Sequence, residues 1–190
     1  MNSHNKLIHV WSDVVTINSC HTWYDVIWNE TNWRYGGRSG HAEEPFRHWS
    51  STVRSDIFTQ NVQDPLCHVE LICFEIWNCM KKYFDEVLPN LIPIRVILNS
   101  FNFGDNVWIH KDSDAEGFYT CIMYLNPYWD INWGGDTVFV NDKKDSIIEA
   151  IYPKPGRFVL FDSRIQHGPR SLSREAHLPR VGITFLCKVG

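Results

Sequence analysis

His110 and Asp112 stand one residue apart in "WIHKDSDAEG", at the end of a run that is otherwise apolar and aromatic. On an extended strand, positions i and i+2 share a face, so an imidazole and a carboxylate would meet at one point. Two ligands do not make a metal site, and nine histidines among 190 residues make chance pairs common. A third ligand is offered by His167 in "LFDSRIQHGPR", after an apolar strand and just before a Gly-Pro turn. Two histidines and a carboxylate on one face of an octahedron are the donor set of non-haem Fe(II) oxygenases, which leaves positions open for substrate and oxygen.

A second group of residues bears on the same point. In "RVGITF", Arg180, Gly182 and Thr184 share one strand face while Val181, Ile183 and Phe185 share the other. A cation, a gap and a hydroxyl on the inner face of a barrel call for a partner, because buried charge is costly alone. "TCIMYLN" likewise puts Thr120, Ile122 and Tyr124 on one face, so a phenol can reach that partner. The ligand these residues imply is an anion.

The elements that must position them fall into two parts. From Pro93 onward, short β-rich runs follow at close spacing: "IRVILNSF", "VWIHKD", "FYTCIMYLN", "DTVFVN", "IIEAIY", "GRFVLFDS" and "RVGITFLCK", parted by turn signals such as "WGGD" and "PKPG". Such a series predicts a barrel or a sandwich. Before it, "KLIHVWSDVV" reads as a strand, and Cys20, Trp23, Tyr24, Ile27 and Trp28 recur at helical spacing behind Asn18 or Ser19 as cap. "NWRYGGRSGHAEEPFRHWS" predicts a strand and then a long loop of the kind that acts as a lid. A second helix is predicted over 66–87, capped by Asp64, opened by Pro65 and stopped by Pro89. Its apolar stripe is Val69, Ile72, Cys73, Ile76, Met80, Tyr83 and Val87. The expected fold class is α+β in one domain over 1–190. The helical part, about 1–92, packs on one sheet of a β-rich core, about 93–190.

Composition narrows the function classes. A net charge of −4 with a pI near 6.1 provides no general attraction to nucleic acid or anionic membranes. Six cysteines without a CxxC pair predict buried thiols in a reducing compartment. No window approaches the roughly 20 apolar residues of a membrane helix. The expectation is a soluble, cytoplasmic protein.

Taken in order, "HKD", "TCIMYLN", "WGGDTVF", "PKPGRFVLFDSRIQHGPR" and "RVGITF" resemble the 2-oxoglutarate/Fe(II)-dependent oxygenases, in particular the prolyl-4-hydroxylase-like branch. The resemblance spans about residues 93–187 and implies a double-stranded β-helix, a jelly-roll or cupin-like barrel. It implies that His110, Asp112 and His167 bind Fe(II) and that Arg180 pairs with the distal carboxylate of 2-oxoglutarate, with Tyr124 and Thr184 adding hydrogen bonds. O2 would be the other co-substrate and ascorbate a reductant. The implied reaction is hydroxylation of an unactivated C–H bond coupled to formation of succinate and carbon dioxide. A prolyl residue of a protein or peptide is the leading substrate, with a free amino acid or other small metabolite as the alternative. Retention of Asp112 favours hydroxylation over halogenation, since related halogenases carry a small residue there.

The sequence also departs from the pattern. Arg180 lies thirteen residues beyond His167, across an enlarged loop, "SLSREAHLP". Arg174 and His177 in that loop read as decoys, because only Arg180 is followed by "ITF" once Val181 and Gly182 are passed. Phe101 stands where collagen-type enzymes often have a tyrosine. An AlkB-type nucleic-acid demethylase is disfavoured by Gly182 and Leu186, where that group has a polar residue and a second Arg. A non-catalytic metal-binding barrel is disfavoured by intact His110, Asp112, His167 and Arg180. Trp108 could line a pocket or fill a core. Arg34, Arg38, His48 and Trp49 could form a lid or a solvated loop, and Arg164 and Arg170 could grip an acidic substrate or pair on the surface.

Overall fold

The structure is a computed structural model and describes residues 7–40, 43–59 and 64–190. Strand β1 (Ile8–Trp11) leads into helix α1 (Ile17–Glu30), followed by β2 (Arg34–Gly37) and β3 (His48–Val53). Helix α2 (His68–Phe84) then precedes β4 (Leu91–Phe101), β5 (Phe118–Tyr124), β6 (Thr137–Val140) and β7 (Ile147–Ile151). The chain ends with β8 (Phe158–Asp162), β9 (Gln166–Pro169) and β10 (Arg180–Val189). Seven strands form one antiparallel sheet in the order β1-β8-β5-β10-β4-β3-β2, and β7-β6-β9 form a second.

Alternation along β10 explains how the layers assemble. Val181, Ile183, Phe185 and Cys187 point to the helices, where they meet Trp23 and Ile27 of α1 and Cys73, Ile76, Trp77, Met80 and Phe84 of α2. The opposite face of the large sheet meets the small one. Ile122, Tyr124, Val159 and Phe161 pack there against Phe139 and Ile151. The result is the α+β double-stranded β-helix expected, with the helices on one sheet. The sheets do not close into a barrel; they face each other as an open pair.

Local details differ from the sequence reading for identifiable reasons. Helix α1 is capped one turn early by Thr16, whose Oγ1 accepts from the Ser19 N–H at 3.1 Å. Helix α2 begins after Cys67, not Asp64, because the Glu70 carboxylate turns back to accept from the Cys67 N–H at 3.0 Å. Its buried stripe is Val69, Cys73, Ile76, Trp77, Met80 and Phe84. Tyr83 and Val87 stay at the surface, 37% and 42% exposed: Trp77 and Phe84 take the interface, and Val87 lies beyond the end of the helix. "VWIHKD" is not a strand; His110 forms a single bridge to His167 in β9, a strand the sequence pattern missed. The expected lid stretch contains two paired strands, β2 and β3, which extend the large sheet. Among the described residues, no helix is long and apolar enough to cross a membrane.

Trp77→Ala is expected to destabilise the fold by about 3–5 kcal/mol, as large-to-small core changes do. Val87→Ala should change it by less than about 0.5 kcal/mol. Chemical denaturation of the two variants checks this, and equal losses would contradict the packing described. All six cysteines are free thiols, with Cys20, Cys73, Cys121 and Cys187 buried and Cys67 exposed. Brief alkylation of native protein, read by mass spectrometry, should therefore label Cys67 ahead of those four.

Candidate metal and anion site

His110 and His167 are brought together by their own backbones. The His110 N–H donates to the His167 carbonyl at 2.9 Å and the His167 N–H returns the bond at 2.8 Å. Each ring uses Nδ1 against the carbonyl two residues earlier, Trp108 at 2.8 Å and Ile165 at 3.0 Å. That arrangement fixes the tautomer and turns both Nε2 lone pairs toward one point. Asp112 reaches the same point because its N–H is held by the Ser163 carbonyl at 3.1 Å. Its Oδ1 lies 3.6 Å from His110 Nε2 and its Oδ2 lies 3.5 Å from His167 Nε2. The Thr120 hydroxyl donates to Asp112 Oδ2 at 2.7 Å and thereby orients the carboxylate.

One ligand atom from each of these three residues lies within 4.8 Å of the other two. Burial would raise the Asp112 carboxyl, but the charge of His167, the hydrogen bond and charge of His110 and the Thr120 hydroxyl outweigh it and hold the group well below the usual carboxylate range. For His110, burial opposes protonation and the Asp112 carboxylate overcomes it, raising its pKa, while for His167 burial prevails and lowers it. Two imidazole nitrogens and an ionised carboxylate on one side of a cavity fit a divalent first-row metal and leave other positions open.

The same cavity, about 220 Å³, is lined by Arg180, Gly182, Thr184 and Thr137 as well as His110, Asp112 and His167. Arg180 is only 4% exposed, yet among the described residues it forms no ion pair with a carboxylate. Its Nη2 donates to Thr137 Oγ1 at 2.8 Å and its Nε has no partner. Burial lowers its pKa, and the contact with Tyr124 opposes that shift. The guanidinium lies between the rings of Phe101, at 5.6 Å, and Tyr124, at 5.1 Å. Gly135, at φ 77°, makes the fit possible, because a Cβ there would come within 3.1 Å of Arg180 Cδ and 3.3 Å of the Trp129 ring.

Tyr124 does not open onto the cavity. Its hydroxyl donates to Thr137 Oγ1 at 2.8 Å and the residue is 1% exposed. Thr137, which sequence reasoning missed, therefore accepts from both Tyr124 and Arg180. Its own hydroxyl hydrogen is left to point elsewhere, and Thr137 lines the cavity. The missed signal was the alternation of "DTVFV" in β6, which places Thr137 on the same face as the core residue Phe139. Thr184 accepts from Asn99 Nδ2 at 3.1 Å, so its hydroxyl too is free to donate to a ligand.

Of the residues with two readings, Arg38 and His48 line the cavity, as does Phe101. Trp49 packs at a tilt against the Tyr35 ring at 5.3 Å and does not line it. Neither Trp108 nor Arg34 lines it either. Arg164 is tied to Asp162 at 2.6 Å, Arg174 lies over the Phe103 ring and His177 packs edge-on against Trp133. None of those three reaches the site.

Comparison with curated proteins found no match. Comparison with solved structures found the same fold at low identity. A prolyl-4-hydroxylase from Pseudomonas putida is 14% identical, with 97% of this chain and 94% of that one covered at a TM-score of 0.64. The viral collagen prolyl hydroxylase of Paramecium Bursaria Chlorella virus-1, solved with 2-oxoglutarate, is 12% identical, with 97% and 98% covered at 0.66. A Trichoplax adhaerens prolyl hydroxylase in complex with a hypoxia inducible factor peptide fragment is 13% identical, with 96% and 83% covered at 0.67. Residues 97–187, which contain the His110–Asp112–His167 cluster and the Arg180 pocket, match the family described as the 2OG-Fe(II) oxygenase superfamily. Over that segment the chain matches the superfamily, and it is a 2-oxoglutarate-dependent dioxygenase that uses Fe(II) and O2.

Proposed function

We propose that His110, Asp112 and His167 hold the Fe(II), that Arg180 holds the distal carboxylate of 2-oxoglutarate, and that the enzyme hydroxylates a prolyl residue of a protein or peptide. The observation that carries the site assignment is a three-atom donor set sharing one cavity with a buried guanidinium that has no carboxylate partner among the described residues. Bound Fe(II), with 2-oxoglutarate and O2, supplies the oxidising power that turns an unactivated C–H bond into C–OH as 2-oxoglutarate leaves as succinate and carbon dioxide.

The chain's own residues bind, orient and exclude. Arg180 neutralises the carboxylate at the closed end, while Thr137 and Thr184 offer their hydroxyl hydrogens to it. Tyr124 acts one step behind, by fixing Thr137 and stacking on the guanidinium, so the direct contact expected of it passes to Thr137. Thr120 and Ser163 keep the Asp112 carboxylate turned toward the metal position. Ile97, Phe101, Val107 and Ile122 give the cavity an apolar lining that limits water around the reacting groups. The prolyl substrate is supported by a fold shared with prolyl hydroxylases, one of them solved with a peptide.

Anaerobically reconstituted protein should form succinate from 2-oxoglutarate only when Fe(II) and O2 are both supplied. Asp112→Ala should lower that rate at least about 100-fold. Wild-type succinate formation in this variant would contradict the ligand assignment. Arg180→Ala should raise the 2-oxoglutarate concentration for half-maximal rate by about 30- to 100-fold while metal binding is retained. Arg174→Ala should leave it unchanged, and the reverse result would move the anion site to the 171–179 loop.

A further inference from the structure

The triad and the anion pocket do not account for all of the charge around the cavity. Resting on the oxygenase reading above, we propose that the substrate carries a carboxylate or like oxyanion close to the carbon to be hydroxylated, and that Arg38 and Arg95 receive it.

Both arginines line the cavity together with the metal-ligating cluster. Arg95 stands on the inner face of β4, in register with Leu186 and two residues from Ile97, which pairs with Thr184. Its side chain is 48% exposed, and its one acidic contact among the described residues is Asp112 Oδ1 at 3.9 Å, the carboxylate assigned to the metal. Arg38 follows β2 and, among the described residues, has neither an ion pair nor a hydrogen bond. The metal dication, Asp112, the 2-oxoglutarate dianion and Arg180 together are formally neutral. Arg38 and Arg95 are then left as two positive charges beside the reaction centre, with no further acidic residue among the described residues that line the cavity.

The segment bearing Arg38 is built against the site. A Cβ at Gly37 would come within 2.6 Å of His48 Nε2 and 2.8 Å of Ser50 Oγ, so only glycine lets the chain lie this close. Ser39 is held on the other side, its N–H and hydroxyl each donating to the buried Glu44 carboxylate at 2.7 Å. Glu44 also accepts from the Trp108 N–H and so ties this segment to the one that carries His110. His48 itself is 5% exposed and lines the cavity, held by Asn99 at 3.0 Å and by the Phe101 ring at 4.4 Å. Its Nδ1 has no partner. A buried polar atom in that position is satisfied by a polar ligand and not by an apolar one.

The oxyanion can be a free acid's own carboxylate or an acidic side chain next to the target in a peptide. Binding to protein loaded with Zn(II), which takes nitrogen and oxygen ligands and cannot be oxidised, separates these sources without turnover. Saturating 2-oxoglutarate is added first, and its own binding is measured. Two matched pairs are then titrated by ligand-observed NMR: L-proline against L-prolinamide, and acetyl-Glu-Pro-Glu-amide against acetyl-Gln-Pro-Gln-amide. The anionic member of at least one pair should bind about tenfold more tightly. That preference should fall to parity in Arg38→Met or Arg95→Met protein that retains cooperative thermal unfolding. The pair that shows it names the source. Parity in both pairs, or a preference that survives both substitutions, overturns the proposal. Failure of 2-oxoglutarate itself to bind would instead contradict the site reading on which the proposal rests.

Discussion

A guanidinium held between two aromatic rings and bonded to one threonine hydroxyl, with no carboxylate partner among the described residues, is the constraint on which the rest of this structure turns. Burying an unpaired cation costs several kcal/mol, and the cost is offset only if an anion arrives. Arg180 sits on β10, whose strand neighbours are β4 and β5 in the middle of the large sheet. Phe101 comes from β4, Tyr124 from β5 and Thr137 from the facing sheet. Four strands thus converge on one charge. The two glycines before β6 let the chain pass beside the Arg180 stem, and Thr137 follows directly from that turn.

The cluster of His110, Asp112 and His167 depends on a different device. His110 lies outside every strand, so its place is set by a reciprocal pair of backbone bonds to His167 and by ring contacts to the preceding carbonyls. Sheet edges give such positions both rigidity and an open side. Helices α1 and α2 act at a distance, by burying the outer residues of β10, β5 and β8 and so fixing which side chains of those strands face inward. A shift of one residue in β10 would exchange Arg180 and Thr184 for Val181 and Phe185.

That period of two is why so much of the site could be read from sequence. "RVGITF" alternates cleanly, and His110, Asp112, His167, Arg180 and Thr184 line a single cavity as expected. Where the reading went astray, a longer-range force decided the outcome. His110 and Asp112 share a face through tertiary hydrogen bonds and not through strand pleating. β9 escaped notice because its four residues include Gly168 and Pro169, both poor strand formers. Thr137 lines the cavity in place of Tyr124, and the bond between them, across two sheets and 13 residues apart, leaves no local pattern. Helix caps moved because Thr16 and Glu70 offered better geometry than the nearer Ser19 and Asp64. The β2–β3 pair draws its stability from β4, which lies far away in sequence.

The account is tested most directly by an anaerobic crystal structure of the protein with Fe(II) and 2-oxoglutarate. It predicts one metal ion bound by His110 Nε2, an Asp112 oxygen and His167 Nε2, with the distal carboxylate of 2-oxoglutarate on Arg180, Thr137 and Thr184. A metal held by other residues, or a carboxylate seated on Arg174 or elsewhere outside this cavity, would contradict it.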